Sequence, residues 1–336
     1  MSEIKPTKKL YNVEFKEKFI DEYDNESTRT AIENILANAA LSEEVLGKDL
    51  YDFNLGEIAQ VIKASNPLNV QAAYGIGRHI YRYIQFAANI RRSNLHPMDG
   101  IDPDWYKNLV GKNKKYLFSK NEITDIISQL ENKQDQAMII LLFEGARGLN
   151  NSELINLRKQ DIDEFRNELI LHDDKDKSAR VIKVSPWCIF ILKQAIESLN
   201  YHRSTRSGKT ILAPVCDNDY IFRSLKLGNH VNEKAPINFQ VLNQRLMRMR
   251  EQLGLPYLRI KGLQQSGMIN MGFQLFKRDK VLESKQLEEI ANQYNTGNYI
   301  VGSGNKPYLN VTLFKNIVSR DHILDLYDVD INAVNG

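Results

Sequence analysis

A chain of 336 residues is long enough for two domains that each bury a core, and 42% hydrophobic with 26% charged residues and 9 prolines excludes a disordered or collagen-like polymer. Lys and Arg number 45 against 42 Asp and Glu, so the net charge of +3 singles out no partner class, and the two cysteines, Cys188 and Cys216, are too few for a disulfide framework or a zinc cluster and suit a reducing compartment. The start MSEIKPTKKL lacks an apolar signal core and the longest aliphatic run, around Ala137 to Phe143, is too short to span a bilayer, which predicts an intracellular protein with no membrane partner.

Divided along the chain, the charge is uneven. Residues 1–60 carry 7 basic and 13 acidic side chains. Helical spacing predicts Phe15 to Tyr23, a helix of three or four turns beginning near Ser27, and Leu55 to Ala64. Thr30-Ala31-Ile32-Glu33 reads as the capping box of the second, with Ile35, Leu36 and Ala39 on its inner face. Residues 61–118 reverse the balance, with 9 basic and 3 acidic groups. Here 68–92, LNVQAAYGIGRHIYRYIQFAANIRR, is helical in period and free of proline. Gln71, Gly75, Arg78, Arg82, Gln85, Asn89 and Arg92 recur four and three apart as a polar stripe without an acid, while Ala73, Ile76, Ile80, Tyr83, Ile84, Ala87 and Ile90 cover the other side. Solvated helix faces usually mix Lys or Arg with Glu, so this stripe favours phosphates and base edges over the competing reading of a plain solvated surface. Gly75-Ile76-Gly77 is no nucleotide loop, because no strand precedes it.

His96-Pro97-Met98-Asp99-Gly100 and Asp102-Pro103 are turn-rich and lead to the basic run Lys112-Asn113-Lys114-Lys115. They predict a helical domain over 1–98, a basic linker over 99–118 and a second domain over 119–336. The second domain opens on a capping box, Ser119 to Glu122, followed by Ile123, Ile126, Ile127 and Leu130. A buried helix follows from Gln134 to Phe143. Glu168 to His172 and Arg180 to Val184 read as a hairpin around DDKDKSA, with Tyr220 to Phe222 as a third strand. Helices resume at Cys188–Leu199, Asn238–Leu253, about Gly262–Met271, Val281–Tyr294 and Asn310–Leu326. Residues 201–261 form a second basic block, with 11 basic and 4 acidic groups. The predicted class is mainly α with a small β-sheet.

This order resembles the tyrosine recombinase (phage integrase) family over about residues 10–320, with a helical core-binding domain, a basic linker and an integrase catalytic-type domain. Gly148-Leu149-Asn150-Asn151-Ser152-Glu153-Leu154 with Leu157 and Asp161-Ile162-Asp163 is similar to the family's G-L-R-x-S-E-L…L…D-I-D stretch. Lys175 falls where the family places its hairpin lysine, and Leu258-Arg259-Ile260-Lys261-Gly262-Leu263-Gln264-Gln265 falls where it has an H-x-L-R-H box. The family's chemistry uses a tyrosine nucleophile on a DNA phosphodiester, two arginines on the nonbridging oxygens, and lysine and histidines for protons. Here the first arginine position is Asn150, the box histidine is Lys261, the second arginine is Gln264 and the next histidine is Gln265. An amide adds no charge in the transition state, and losing one such donor costs roughly 3–4 kcal/mol. Arg147 offers an alternative first arginine through Gly145-Ala146-Arg147, but it lies three residues early, and the longer register selects Asn150. Tyr294, Tyr299 and Tyr308 lie in the nucleophile region without the family's L-G-H-x-x box. Tyr308 is nearest by position, against a packing role.

The resemblance is strongest to the catalytically degenerate master repressors of SPβ-like Bacillus phages. It implies a cytoplasmic, nucleoid-associated repressor that holds lysogeny by binding double-stranded operators in the phage genome, with no cofactor, no metal and no catalysis. On that reading Arg78, Arg82, Gln85 and Arg92 meet DNA from the first half, and Gln244, Arg245, Arg248, Lys175, Lys261, Asn150 and Gln264 from the second. Leu242, Leu246, Met249 and Leu253 would be the apolar side of the 238–253 helix. The competing readings are a divergent active recombinase and a helical module that binds protein only. A repressor also needs a release signal, for which a protein antagonist is one candidate. Leu313, Ile317, Ile323, Leu324 and Leu326 make the C-terminus amphipathic, which fits a homo-oligomer through this helix and packing in cis equally well. His172, His202 and His230 lack metal-ligand spacing, Cys188 reads as core, and Gly302-Ser303-Gly304 as a loop.

Overall fold

The computed structural model describes residues 9–91, 96–111, 114–174, 179–205, 209–226, 232–296, 298–299, 308–309 and 311–331. It forms two compact units, Met1–Lys114 and Lys115–Gly336.

The first unit has four α-helices, α1 (Val13–Ile20), α2 (Glu26–Leu46), α3 (Leu55–Ala64) and α4 (Val70–Arg91), among the described residues. Thr30 is not the cap of α2. Asn25 is, its side chain accepting the Thr28 N–H, and the helix runs 21 residues to a left-handed Gly47. In α4 the predicted apolar side is the buried side at Ala73, Ile80, Tyr83, Ile84 and Ala87, whereas Ile90 is 55% exposed. The core also holds charge. Lys16 and Glu43 are fully buried and paired at 2.5 Å, Glu43 accepts the Leu50 N–H, and the Tyr83 hydroxyl donates to Asp49. Much of the region read as a linker belongs to this unit, because Tyr106 and Leu109 lie in its hydrophobic core.

The second unit begins with α5 (Lys120–Ser128), opened by the predicted Ser119–Glu122 capping box, and α6 (Lys133–Glu144), which is buried all round from Gln134 to Phe143. A short α7 (Ser152–Ile155) leads into β1 (Ile162–Asp163), β2 (Glu168–His172) and β3 (Ala179–Lys183), an antiparallel sheet in that order with Ile170 opposite Val181. Tyr220–Phe222 is not its third strand. Tyr220 makes only an isolated bridge to Arg158, and Ile221 and Phe222 are buried as core. After α8 (Pro186–Glu197) comes a second hairpin, β4 (Asn200–Ser204) with β5 (Thr210–Pro214), in which Tyr201 and Ala213 turn inward. Then follow α9 (Phe239–Leu253), α10 (Ile260–Asp279), α11 (Ser284–Tyr294) and the short pair β6 (Asn298–Tyr299) and β7 (Tyr308–Leu309). The predicted C-terminal helix is two, α12 (Val311–Ile317) and α13 (Arg320–Tyr327), because Ser319 caps the second by accepting the His322 N–H. Phe314, Val318 and Ile323 pack in cis with α10 and α11, and the Tyr327 ring stacks on Phe273 at 4.4 Å. Among the described residues no helix is long and apolar enough to cross a membrane.

Two glycines of α4 have opposite roles. A Cβ on Gly75 meets nothing within 4 Å, whereas one on Gly77 falls 2.5 Å from the Tyr106 ring. Gly75→Ala therefore raises stability by about 0.4–1 kcal/mol, and Gly77→Ala lowers it by roughly 1–3 kcal/mol as the Tyr106 ring is displaced. Urea unfolding of the two variants checks the opposite signs.

Candidate nucleic-acid interface

In the first unit the polar stripe of α4 stands in solvent. Gln71, Arg78, Arg82, Gln85 and Asn89 are exposed, and the Gln85 amide donates to Asn89 at 2.9 Å. Among the described residues neither Arg78 nor Arg82 has an ion-pair partner, so both guanidiniums keep their donors available. His79 lies half-buried between them. Burial first, then Arg82 and Arg78, hold its imidazole below the ordinary histidine range, so the ring adds no charge near neutral pH. Arg91, at the end of the helix, is engaged elsewhere, paired with Asp52 at 2.6 Å over the Tyr51 ring. Arg92, the last member of the predicted stripe, lies outside the described residues.

In the second unit a polar cluster forms where α6, α7, β3, α10 and α11 meet. Glu153, on α7, is 1% exposed. Its carboxylate receives Arg180 Nε and Nη2 at 2.6 and 2.8 Å and the Arg147 backbone N–H at 2.6 Å. Arg180 also donates to the carbonyls of Gly145 and Gln293, at 2.9 and 2.8 Å. Gly145 is required there, since a Cβ would lie 2.6 Å from the Gln293 oxygen and φ is +115°. This frame sets the direction of the next side chain. Arg147, itself exposed, donates from Nη1 to Gln264 Oε1 at 3.0 Å. The guanidinium that the register places nowhere is thus beside the amide at the second arginine position. Asn150, read as the first arginine position, is an exposed loop residue at φ +52°, and its loop is tied to Asp173 through Leu149 N–H and the Ser152 hydroxyl. Arg147 is the residue that the longer register misses.

Lys261 is exposed on the first turn of α10, one turn before the buried Gln264, and Gln265 is half-buried. Gly262 between them allows the helix to approach the Tyr116 carbonyl, which a Cβ would meet at 2.4 Å. On α9 the prediction is corrected. Gln244 is exposed and Arg248 half-buried, but Arg245 is 2% exposed, donating to Gln134 Oε1 and the Arg223 carbonyl and stacking on Tyr201. It is a core residue, with its guanidinium turned to internal partners. Lys175, His230 and Gly302-Ser303-Gly304 lie outside the described residues, as do the side chains of Tyr299 and Tyr308, whose backbones pair across β6 and β7. Tyr294 is buried, its hydroxyl donates to the Phe143 carbonyl at 2.5 Å, and burial pushes its phenol well above the usual range. It is sequestered from any phosphate. Among the described residues no group of three His, Cys, Asp or Glu side chains is placed to hold a metal ion. His172 instead faces Asp161, and His202 faces Glu131.

The frame and the displayed arginine separate on mutation. Arg180→Ala leaves Glu153 buried without its cation and lowers stability by roughly 3–5 kcal/mol. Arg147→Ala removes one bond to an amide and costs less than about 1.5 kcal/mol. Guanidinium unfolding of both variants measures the difference.

Comparison with known proteins agrees with this architecture. The family described as MrpR, N-terminal core-binding domain, matches residues 10–89, and MrpR, C-terminal catalytic domain, matches residues 117–328. The SPbeta prophage-derived uncharacterized protein YopR of Bacillus subtilis (strain 168) is 26% identical over 293 residues, covering 85% of this chain and 89% of the relative. Among solved structures, the Tn1549 transposon integrase (aa 82–397) in complex with circular intermediate DNA is similar with a TM-score of 0.51 at 11% identity, covering 93% of this chain and 96% of that one. A lambda integrase (75–356) dimer bound to a COC′ core site gives a TM-score of 0.51 at 11% identity, covering 91% and 95%. These likenesses establish a tyrosine recombinase fold. The matches to both domain models span most of the sequence, and the chain belongs to the MrpR family.

Proposed function

We propose that the protein is a sequence-specific, double-stranded-DNA-binding transcriptional repressor that keeps a prophage silent by occupying operators, on an integrase scaffold that performs no strand exchange. The observation that carries the reading is the acid-free face of α4, where Arg78, Arg82 and Gln85 stand exposed. An arginine pairs bidentately with guanine and a glutamine with adenine, so this face has the donors and acceptors for reading a major groove. The relatives' names add a prophage origin for one and DNA complexes for the integrases. The cluster around Arg147 and Gln264 supports the reading without chemistry. Among the described residues it offers phosphate one exposed guanidinium, Arg147, beside the neutral Gln264, where the recombinase reaction uses two arginines. Arg147, Lys261, Arg248 and Gln244 are the second unit's candidates for backbone and base contact.

Arg147 is also the one observation that favours a divergent active recombinase. Incubating the protein with fragments of its phage genome decides between them in one gel. The expected result is a shifted band with no covalent protein–DNA adduct. An adduct that Tyr308→Phe abolishes overturns the repressor reading, and no shift at low salt removes DNA binding altogether. Arg78→Ala with Arg82→Ala lowers affinity and makes the log–log salt slope shallower by about 0.9 for each phosphate that is no longer neutralised. Unchanged affinity and slope in a salt titration place the stripe outside the interface.

A further inference from the structure

The corner between α9 and α10 gathers positive charge that the second unit leaves unanswered. Leu255 and the fully buried Leu258 anchor the connection to the core, and the next residue, Arg259, is exposed at the N-cap of α10. Arg250, half-buried on the last turn of α9, donates from Nε to the Leu258 carbonyl at 2.5 Å. That bond holds one guanidinium beside the other. Among the described residues Arg250, Arg259 and the exposed Lys261 have no ion-pair partner, and the terminal nitrogens of Arg250 and the whole Arg259 guanidinium donate to nothing. Glu251, the nearest acid in sequence, is exposed and pairs with none of them.

Like charges held together cost the free protein stability. Burial first, then Arg259, hold the Arg250 guanidinium below the ordinary arginine range. The start of α10 adds to the same field, since its first turn has no acid and Arg259 supplies no side-chain cap, which leaves the N–H groups and the positive end of a 20-residue helix beside the two arginines. Unused donors and unpaired cations in one place suit an anion. We infer that Arg250 and Arg259 together bind a phosphodiester of the DNA backbone, Arg250 through its two terminal nitrogens, with Lys261 adding charge beside them. A planar guanidinium matches a phosphate bidentately, and one already fixed through Nε loses little freedom in doing so. Arg259 and Lys261 are exposed, so a phosphate delivered by a polymer's other contacts is held here better than a free ion, which the corner alone must capture. The inference rests on the DNA-binding reading above and extends it, because a backbone contact positions the unit without reading sequence.

Salt titrations of the full chain on two duplexes of equal length, the phage fragment it shifts most tightly and a random sequence, test the site. Arg259→Gln is expected to make the log–log slope shallower by about 0.9 on both duplexes and to weaken both by a similar factor. Arg259→Asp removes the like charge and can accept a backbone N–H of α10, so it raises the urea midpoint of the free protein while weakening both duplexes. A slope unchanged by Arg259→Gln overturns the site and leaves the repressor reading in place. A slope that falls while the wild type binds both duplexes equally supports the site and removes the repressor reading. Weakening confined to the tight fragment makes Arg259 a base contact and overturns the phosphate assignment, and a lower midpoint in Arg259→Asp overturns the unfavourable pairing behind it. A wild type that shifts neither duplex at low salt overturns both readings. Thermal protection by inorganic phosphate over chloride at equal ionic strength, lost in Arg259→Gln without any change in the DNA slope, assigns the corner to a free anion and overturns the DNA contact.

Discussion

The buried ion pair between Glu153 and Arg180 ties together segments that are distant in sequence. Arg180, on β3, reaches the carboxylate of α7, the carbonyl that ends α6 and a carbonyl of the last turn of α11. Burying two charges is tolerated because the guanidinium donates from all three nitrogens and the carboxylate receives a backbone N–H as well as the cation. The α6 terminus needs such partners, since the last carbonyls of a helix have none inside it. Gln293 adds to the same joint, donating to the carbonyls of Glu144 and Lys183. The consequence for Arg147 is direct. Glu153 holds the Arg147 backbone, and a backbone held there aims the Arg147 side chain at Gln264.

Arginines in the second basic block are divided between two physical roles. Arg223 and Arg245 are among the largest fully buried side chains. Arg223 donates to the carbonyls of Ala195, Ile196 and Ser198, capping α8 from inside, and Gln134 accepts both the Arg223 N–H and Arg245. Asp135 completes the network through Tyr201, and burial raises its carboxyl above the usual range despite the Arg245 charge. Charge counted along a sequence therefore overstates the field this unit presents. The α4 stripe has no such deduction, because its two central arginines are both exposed and without an ion-pair partner among the described residues.

This division explains what the sequence made legible. A 22-residue amphipathic helix such as α4 is set by its own period, and its faces follow from spacing alone. The Ser119 cap and the β2–β3 hairpin are equally local signals. Arg245 escapes that logic although Leu242, Arg245, Leu246 and Met249 have the one-face spacing of a helix, because an internal guanidinium is decided by distant partners, Gln134 and Tyr201. The β4–β5 hairpin gives no local signal, since NYHRS has no apolar alternation and turns only Tyr201 inward as a hydrophobe. Arg147 is hidden for a related reason. Gly148, Asn150 and Asn151 all take positive φ, so the chain makes a detour before Ser152 that periodicity does not register.

The same detour bears on what the Arg147–Gln264 pair is suited to. A recombinase must stabilise charge that develops on a phosphate as a bond breaks, and it does so with cations placed in advance on both sides of the oxygens. One guanidinium braced against a neutral amide supplies less to that transition state than to a resting phosphate, which needs only position and a single charge. On the repressor reading this is the useful balance. On that reading a residue that holds DNA without activating it would lengthen occupancy, and the frame of Glu153 and Arg180 would serve that purpose by fixing Arg147 while keeping its own charges paired.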